Sequence, residues 1–187
     1  MNAFEEIVKQ YLETEGYWVR QSVKVEISKD DKKEIGLPTM PRPEIDLVAL
    51  NVKENELLLV EVKSFLDSQG VYWEVVCDEK NEYPAAKRYR LFTDKKFRTV
   101  VTKRLHQEYL THGLINEKTK INYALAAGKF HSERDEGKIR EHFSRRGRGW
   151  KLFTPTDIKN RIREFAERGW EDNLITITAK LTKEAIS

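Results

Sequence analysis

Apolar positions change period along the chain, and the changes mark out its elements. From Ala3 to Glu15, Phe4, Ile7, Val8, Tyr11 and Leu12 recur at helical spacing. Gly16 follows, a common residue just past a helix end. Tyr17 to Ile27 shifts to alternation, with Trp18, Val23, Val25 and Ile27 among polar residues, and predicts a strand. Ser28 to Pro43 is charged, contains Pro and Gly, and predicts a loop that is mobile or borders a substrate. Two runs rich in Val, Ile and Leu come next, Pro43 to Asn51 and Glu56 to Lys63. A polar link containing Asn51 and Asn55 joins them, which is a hairpin pattern. Asp67-Ser68-Gln69-Gly70 then breaks the chain, and Val71 to Tyr83 is aromatic without a clear period. Ser64 to Thr93 therefore reads as an excursion after the third strand, kept close to the hairpin's end by chain connectivity.

The second half alternates between helix and strand. Lys95 to His112 carries Phe97, Val100, Val101, Leu105, Tyr109 and Leu110 as a helical stripe, ended by Gly113. Ile121 to Phe130 predicts a buried strand of small residues, and Ser132 to Arg145 a charged helix with Ile139 and Phe143 facing in. Gly147 to Gly149 makes a turn before a short strand, Trp150 to Phe153. Thr154 to Asp157 supplies start signals for a helix running to Gly169. Asn173 to Ser187 fits either a strand or a final helix. Three strands followed by βα alternation imply an α/β protein with a mixed central sheet flanked by helices.

Composition narrows the class. A chain of 187 residues, 39% apolar and 35% charged, fits one soluble domain spanning 1–187. No apolar run approaches the roughly 20 residues that cross a bilayer. The start, Met1-Asn2-Ala3-Phe4-Glu5-Glu6, lacks the layout of a secretory signal, and a cytoplasmic location is expected. Cys77 is the single cysteine, which excludes an intramolecular disulfide and disfavours a cysteine zinc site.

The formal net charge is only +3, but its distribution is uneven. Lys87, Arg88, Arg90, Lys95, Lys96, Arg98, Lys103 and Arg104 fall in one stretch with a single acid, Asp94. Lys138 to Lys151, which includes Arg145, Arg146 and Arg148, holds six basic residues and one acid, Glu141. Such clusters bind phosphate backbones, with nucleic acid as the expected partner. A solvated helix face is the plainer explanation for either cluster alone.

The candidate chemistry lies in the hairpin. Carboxylates are costly within apolar strands, because a buried unpaired charge costs several kcal/mol. This hairpin nevertheless carries Asp46 in one strand and Glu61 and Lys63 in the next. Alternation places Glu61 and Lys63 on one face, and pairing around the turn brings Asp46 toward them. Two carboxylates suit Mg2+, a hard cation that takes oxygen ligands, and a neighbouring lysine can orient water or offset charge on phosphate. Ordinary surface ion pairing is the alternative.

Pro43-Glu44-Ile45-Asp46, fourteen further residues, then Glu61-Val62-Lys63 resembles the motif of the PD-(D/E)xK nucleases of the restriction-endonuclease-like fold. One departure is that Glu44 directly follows the proline, with Asp46 two residues later. Asp46 is preferred because Leu47-Val48-Ala49-Leu50 follows it, and Glu44 remains an additional candidate ligand. The resemblance implies an αβββαβ core over about residues 3–130, with a C-terminal βα extension. It implies Asp46, Glu61 and the Val62 carbonyl as Mg2+ ligands, Mn2+ as a substitute, and Lys63 as the water-activating group. In archaeal Holliday-junction resolvases, which the first helix and the hairpin also resemble, a glutamate of the first helix completes the site. Glu5, ahead of Val8, Leu12, Gly16 and Tyr17, matches that spacing best, and Glu6 is the alternative. Ser68 and Gln69 are candidates for polar contacts at the site. Many enzymes of this kind dimerise to cut two strands, so a homodimer is expected.

Other chemistries lack their motifs. Gly128-Lys129 misses the upstream glycine and the following Ser or Thr of a phosphate loop, having Tyr123 and Phe130 there. The four histidines show no HExxH spacing, and no GxSxG is present. The expected activity is metal-dependent hydrolysis of DNA. A non-catalytic nucleic-acid-binding module, or a partner-dependent subunit of a nuclease or defence complex, are the alternatives.

Overall fold

A computed structural model describes residues 2–80, 82–167, 169 and 173–184. The first helix, α1, spans Ala3–Thr14, with the Asn2 side chain accepting the Phe4 N–H at its start. Three strands follow: β1, Trp18–Lys24; β2, Glu44–Asn51; and β3, Glu56–Lys63. The excursion after β3 contains α3 (Trp73–Val76), a 3-10 turn (Pro84–Tyr89) and α4 (Arg90–Thr93). Then come α5 (Lys95–Thr111), β4 (Lys120–Ala127), α6 (Glu133–Arg145), β5 (Trp150–Phe153), α7 (Pro155–Glu167) and α8 (Leu174–Glu184).

The strands form one five-stranded sheet in the order β1-β2-β3-β4-β5. β1, β2 and β3 are antiparallel neighbours, while β4 and β5 join in parallel. This is the mixed sheet and αβββαβ order of a restriction-endonuclease-like core, extended by β5 and its helices. Apolar side chains fill both faces. One layer gathers Leu57, Leu59 and Leu125 with Phe97, Val101, Leu105, Ile139 and Phe143 of α5 and α6. The other joins Leu47, Leu58, Val60 and Ala126 to Phe4, Val8 and Leu12 of α1 and Ile158 of α7. With both faces covered, β3 reads as a continuous apolar run rather than an alternating one.

Three expectations are corrected. Ser28 to Pro43 contains a short helix, α2 (Lys29–Glu34), started by a capping box between Ser28 and Asp31. No apolar stripe announces it because none of its residues is buried. β1 stops at Lys24, although Val25 still donates to the Pro43 carbonyl at 2.8 Å and Val25 and Ile27 remain in the core. β4 stops at Ala127; beyond it only Phe130 bridges, to Val71. The undecided C-terminal stretch is helical over Leu174–Glu184, and residues 185–187 lie outside the described part. Among the described residues no helix is long and apolar enough to cross a membrane.

Candidate active site

β2 and β3 pair from Asn51–Glu56 to Leu47–Val60, and there the ladder ends. One residue further, the same register sets Asp46 across from Glu61. β1 also loses its pairing here: Gln21 and Val23 face Leu47 and Ile45, whereas Ser22, with φ 50°, leaves the ladder. The Val62 N–H, left without a ladder carbonyl, donates to Asp46 Oδ2 at 2.7 Å. The acid thus satisfies a backbone donor at the point where the hairpin opens.

Lys63 returns to the same point. Its Nζ lies 3.5 Å from Asp46 Oδ2 and 3.2 Å from the Val62 carbonyl, and it pairs directly with Glu61 Oε1. The three side chains are 14–23% exposed, enough to meet solvent from one side. Burial pushes the Glu61 carboxyl up to about 7, with Lys63 opposing and Asp46 adding to the rise. For Lys63, burial favours the neutral amine, but Glu61 and then Asp46 outweigh it and raise its pKa above the usual value. In this setting Lys63 is a cation and a hydrogen-bond donor.

The donor set suits a hard divalent ion. Two carboxylate oxygens and one carbonyl oxygen converge on a single positive charge, the Lys63 ammonium, which marks where a cation is stabilised. Among the described residues no three His, Cys, Asp or Glu side chains gather into a metal-binding cluster; the third oxygen at this point is the Val62 carbonyl.

The first-helix alternatives are separated by placement. Burial, then the Asp46 carboxylate, raises the Glu5 carboxyl above its usual range, with the Lys63 ammonium among the groups opposing the rise. Glu6 instead pairs with Lys9 at 3.1 Å and lines a groove against α7 and α8. Glu44 is exposed and joins Glu61 and Lys63 in lining a cleft of about 490 Å³. Lys87, Arg88 and Arg90 of the excursion line its other side. Arg90 also lies over the Phe97 ring at 5.7 Å, whereas among the described residues Lys87 and Arg88 make no ion pair.

Several expected contacts are not brought here. Gln69 does not line the cleft; its Oε1 accepts from the Tyr72 hydroxyl at 2.5 Å beside a neighbouring cavity. Lys95 and Lys96 are exposed at the start of α5, just before Phe97, which does line the cleft. Arg145, Arg146 and Arg148 also lie outside it: Arg145 pairs with Glu141 and Arg146 with Glu79, and Arg146 covers the Trp150 ring. Arg145 and Arg146 thus already have acidic partners, which a count along the chain does not reveal. Tyr89 is the residue that the sequence did not single out. Its ring lies 5.9 Å from Lys63 Nζ, yet it sits in an aromatic stretch without period.

The architecture, a mixed five-stranded sheet flanked by helices, is consistent with a restriction-endonuclease-like fold, with an acidic site at the open end of the β2–β3 hairpin. No family model and no curated protein matches the chain. Among solved structures it is similar to the MunI restriction endonuclease in complex with cognate DNA. That likeness is loose, with a TM-score of 0.34 and 15% identity over 90% of this chain and 88% of that one.

Proposed function

We propose that the protein is an Mg2+-dependent nuclease that hydrolyses phosphodiester bonds in DNA, most simply as an endonuclease, with Mn2+ able to substitute. One observation carries this reading: oxygens of Asp46, Glu61 and Val62 converge on the Lys63 ammonium, and Glu61 and Lys63 line a cleft that Lys87, Arg88 and Arg90 also line. Asp46, Glu61 and the Val62 carbonyl would hold the metal, with Glu5 beside them and Glu44 at the rim. When bound, the metal would polarise the phosphoryl group and lower the pKa of a coordinated water. Lys63 would donate to the attacking water or to a phosphate oxygen and offset developing negative charge. Lys87, Arg88 and Arg90 hold the backbone phosphates, with Lys95 and Lys96 extending the basic wall. In the reaction water oxygen bonds to phosphorus as one ester P–O bond breaks, and the water's proton ends on the departing alkoxide or in solvent. Double-strand cutting would use a homodimer.

The test is Mg2+- or Mn2+-dependent cleavage of supercoiled plasmid, single-stranded DNA, a four-way junction and RNA, with Glu61→Gln and Lys63→Ala alongside. Cutting by the wild type that is lost in both variants is expected, and nicked against linear plasmid reports one-strand or two-strand action. Cutting that survives in both variants overturns the site. A non-catalytic nucleic-acid-binding module, which the basic lining of Lys87, Arg88 and Arg90 would equally serve, is the second reading. It predicts salt-sensitive binding with no cleavage.

A further inference from the structure

A second cavity, of about 330 Å³, lies beside the cleft and shares Phe65 and Arg88 with it. Its volume is at the lower end of the ~300–1,000 Å³ usual for small-ligand sites. Three aromatic side chains, Phe65, Tyr72 and Tyr89, line it together with the Gln69 amide, and no carboxylate does. Tyr89 is only 3% exposed as a residue, and its hydroxyl, for which the described residues supply no hydrogen bond, is not sealed from open space. It can therefore donate to, or accept from, a ligand edge in the cavity. The Lys63 ammonium lies 5.9 Å from the centroid of the same ring.

The walls are held rigidly. The Val71 N–H donates to the Lys129 carbonyl and the His131 N–H to the Val71 carbonyl, both at 3.0 Å. Tyr72 stacks on His131 with ring centroids 4.1 Å apart, and Lys129 Nζ reaches the Ser68 carbonyl at 2.6 Å. Gly70, at φ 92°, lies so close to Phe130 that a Cβ would fall 2.6 Å from its carbonyl carbon. Phe65, at φ 46°, holds a strained conformation for a bulky residue where the two cavities meet.

Aromatic side chains, an amide able to donate and accept, an accessible tyrosine hydroxyl and one cation at the shared wall describe a site for a flat, neutral, hydrogen-bonding ring attached to a phosphate. We infer that this cavity receives an unpaired nucleobase, that of the nucleotide next to the scissile phosphate in the cleft. The inference rests on the nuclease reading. A base enters such a pocket only if it leaves its stack, which costs least where it is already unpaired. The cavity therefore selects single-stranded or gapped nucleic acid over intact duplex, and Gln69 and Tyr89 read the edge of the captured base.

The experiment uses oligonucleotides carrying an abasic residue, or 2-aminopurine, in turn at each position around the cut. Wild type, Gln69→Ala and Tyr89→Phe are compared, with melting curves showing that each variant is folded. One abasic position is expected to lower kcat/KM by about ten-fold, as for loss of a stacked base. That penalty should vanish in Gln69→Ala and shrink in Tyr89→Phe. With Glu61→Gln, 2-aminopurine at the same position should brighten on binding as it leaves its stack. Equal cutting of every abasic substrate, or a penalty unchanged in both variants, overturns the pocket while leaving the nuclease standing. If nothing is cut, the fluorescence still decides: one brightened position supports base capture by a non-catalytic binder, and none overturns it.

Discussion

At Asp46 one carboxylate does two jobs. It accepts the Val62 N–H that the ladder leaves open, and it faces the Lys63 ammonium. Removing the ammonium should therefore do more than slow a reaction. In Lys63→Ala, cleavage should fall by about 10²–10⁴-fold, the usual span for a positioned acid–base group. The same variant leaves Asp46 and Glu61 facing each other without a cation. Added Mg2+ should then raise its melting temperature more than that of the wild type, because the ion replaces a lost charge. Glu61→Gln should show no such rise. Equal Mg2+ responses in Lys63→Ala and Glu61→Gln would remove the metal from this point. The pair of positions was legible, since carboxylates inside an apolar hairpin need a reason to be there. Their exact contacts were not, because they depend on where the ladder stops.

Elements are joined at single residues as well. Gly128 follows β4 and donates to the Lys63 carbonyl at 2.8 Å. A Cβ there would fall 2.3 Å from the Ser64 carbonyl oxygen and 3.1 Å from the Phe4 ring. The glycine that fails as a phosphate loop is thus the close contact that packs β3, β4 and α1 together behind the site. Gly128→Ala should cost about 1–3 kcal/mol in chemical denaturation, as overpacking does, and should lower cleavage by displacing Lys63. Asp135 of α6 reaches a different element, accepting the Trp73 N–H of α3 at 2.9 Å as well as bonding Ser132. Although burial opposes it, these bonds hold its carboxyl below the ordinary 3.8. A carboxylate depressed in the folded state stabilises above its unfolded pKa and loses that effect as pH falls through the folded value. Asp135→Asn should therefore be less stable at pH 7, by about 1 kcal/mol, and the gap should begin to narrow as pH falls below about 4 and close only through the lower folded value. A gap that does not narrow at all as pH falls below about 4 would assign the effect to packing.

For the whole molecule the question is which basic cluster meets nucleic acid. Lys87 and Arg88 line the cleft and make no ion pair among the described residues, while Arg145 pairs with Glu141 on an exposed helix face and Arg146 with Glu79. Lys87→Ala with Arg88→Ala should weaken DNA binding at every sequence and reduce the salt slope by about 0.9 per lost phosphate contact on duplex. Arg145→Ala should leave the slope unchanged. A slope that falls only for Arg145→Ala would move the nucleic acid to the other end of α6.

By itself the sequence determined the element order, the apolar strands of a sheet covered on both faces, and the hairpin carrying Asp46, Glu61 and Lys63. Those are consequences of local period and turn chemistry, which act between near neighbours. Only the tertiary structure decided that Glu6 pairs with Lys9 while the Asp46 carboxylate acts on Glu5, that Arg145 and Arg146 have acidic partners, and that Phe65 and Arg88 are shared by two cavities. Each depends on contacts between residues far apart in sequence. Such contacts are set by where the ladder ends and how helices lie on the sheet, and no pattern of neighbouring residues encodes them.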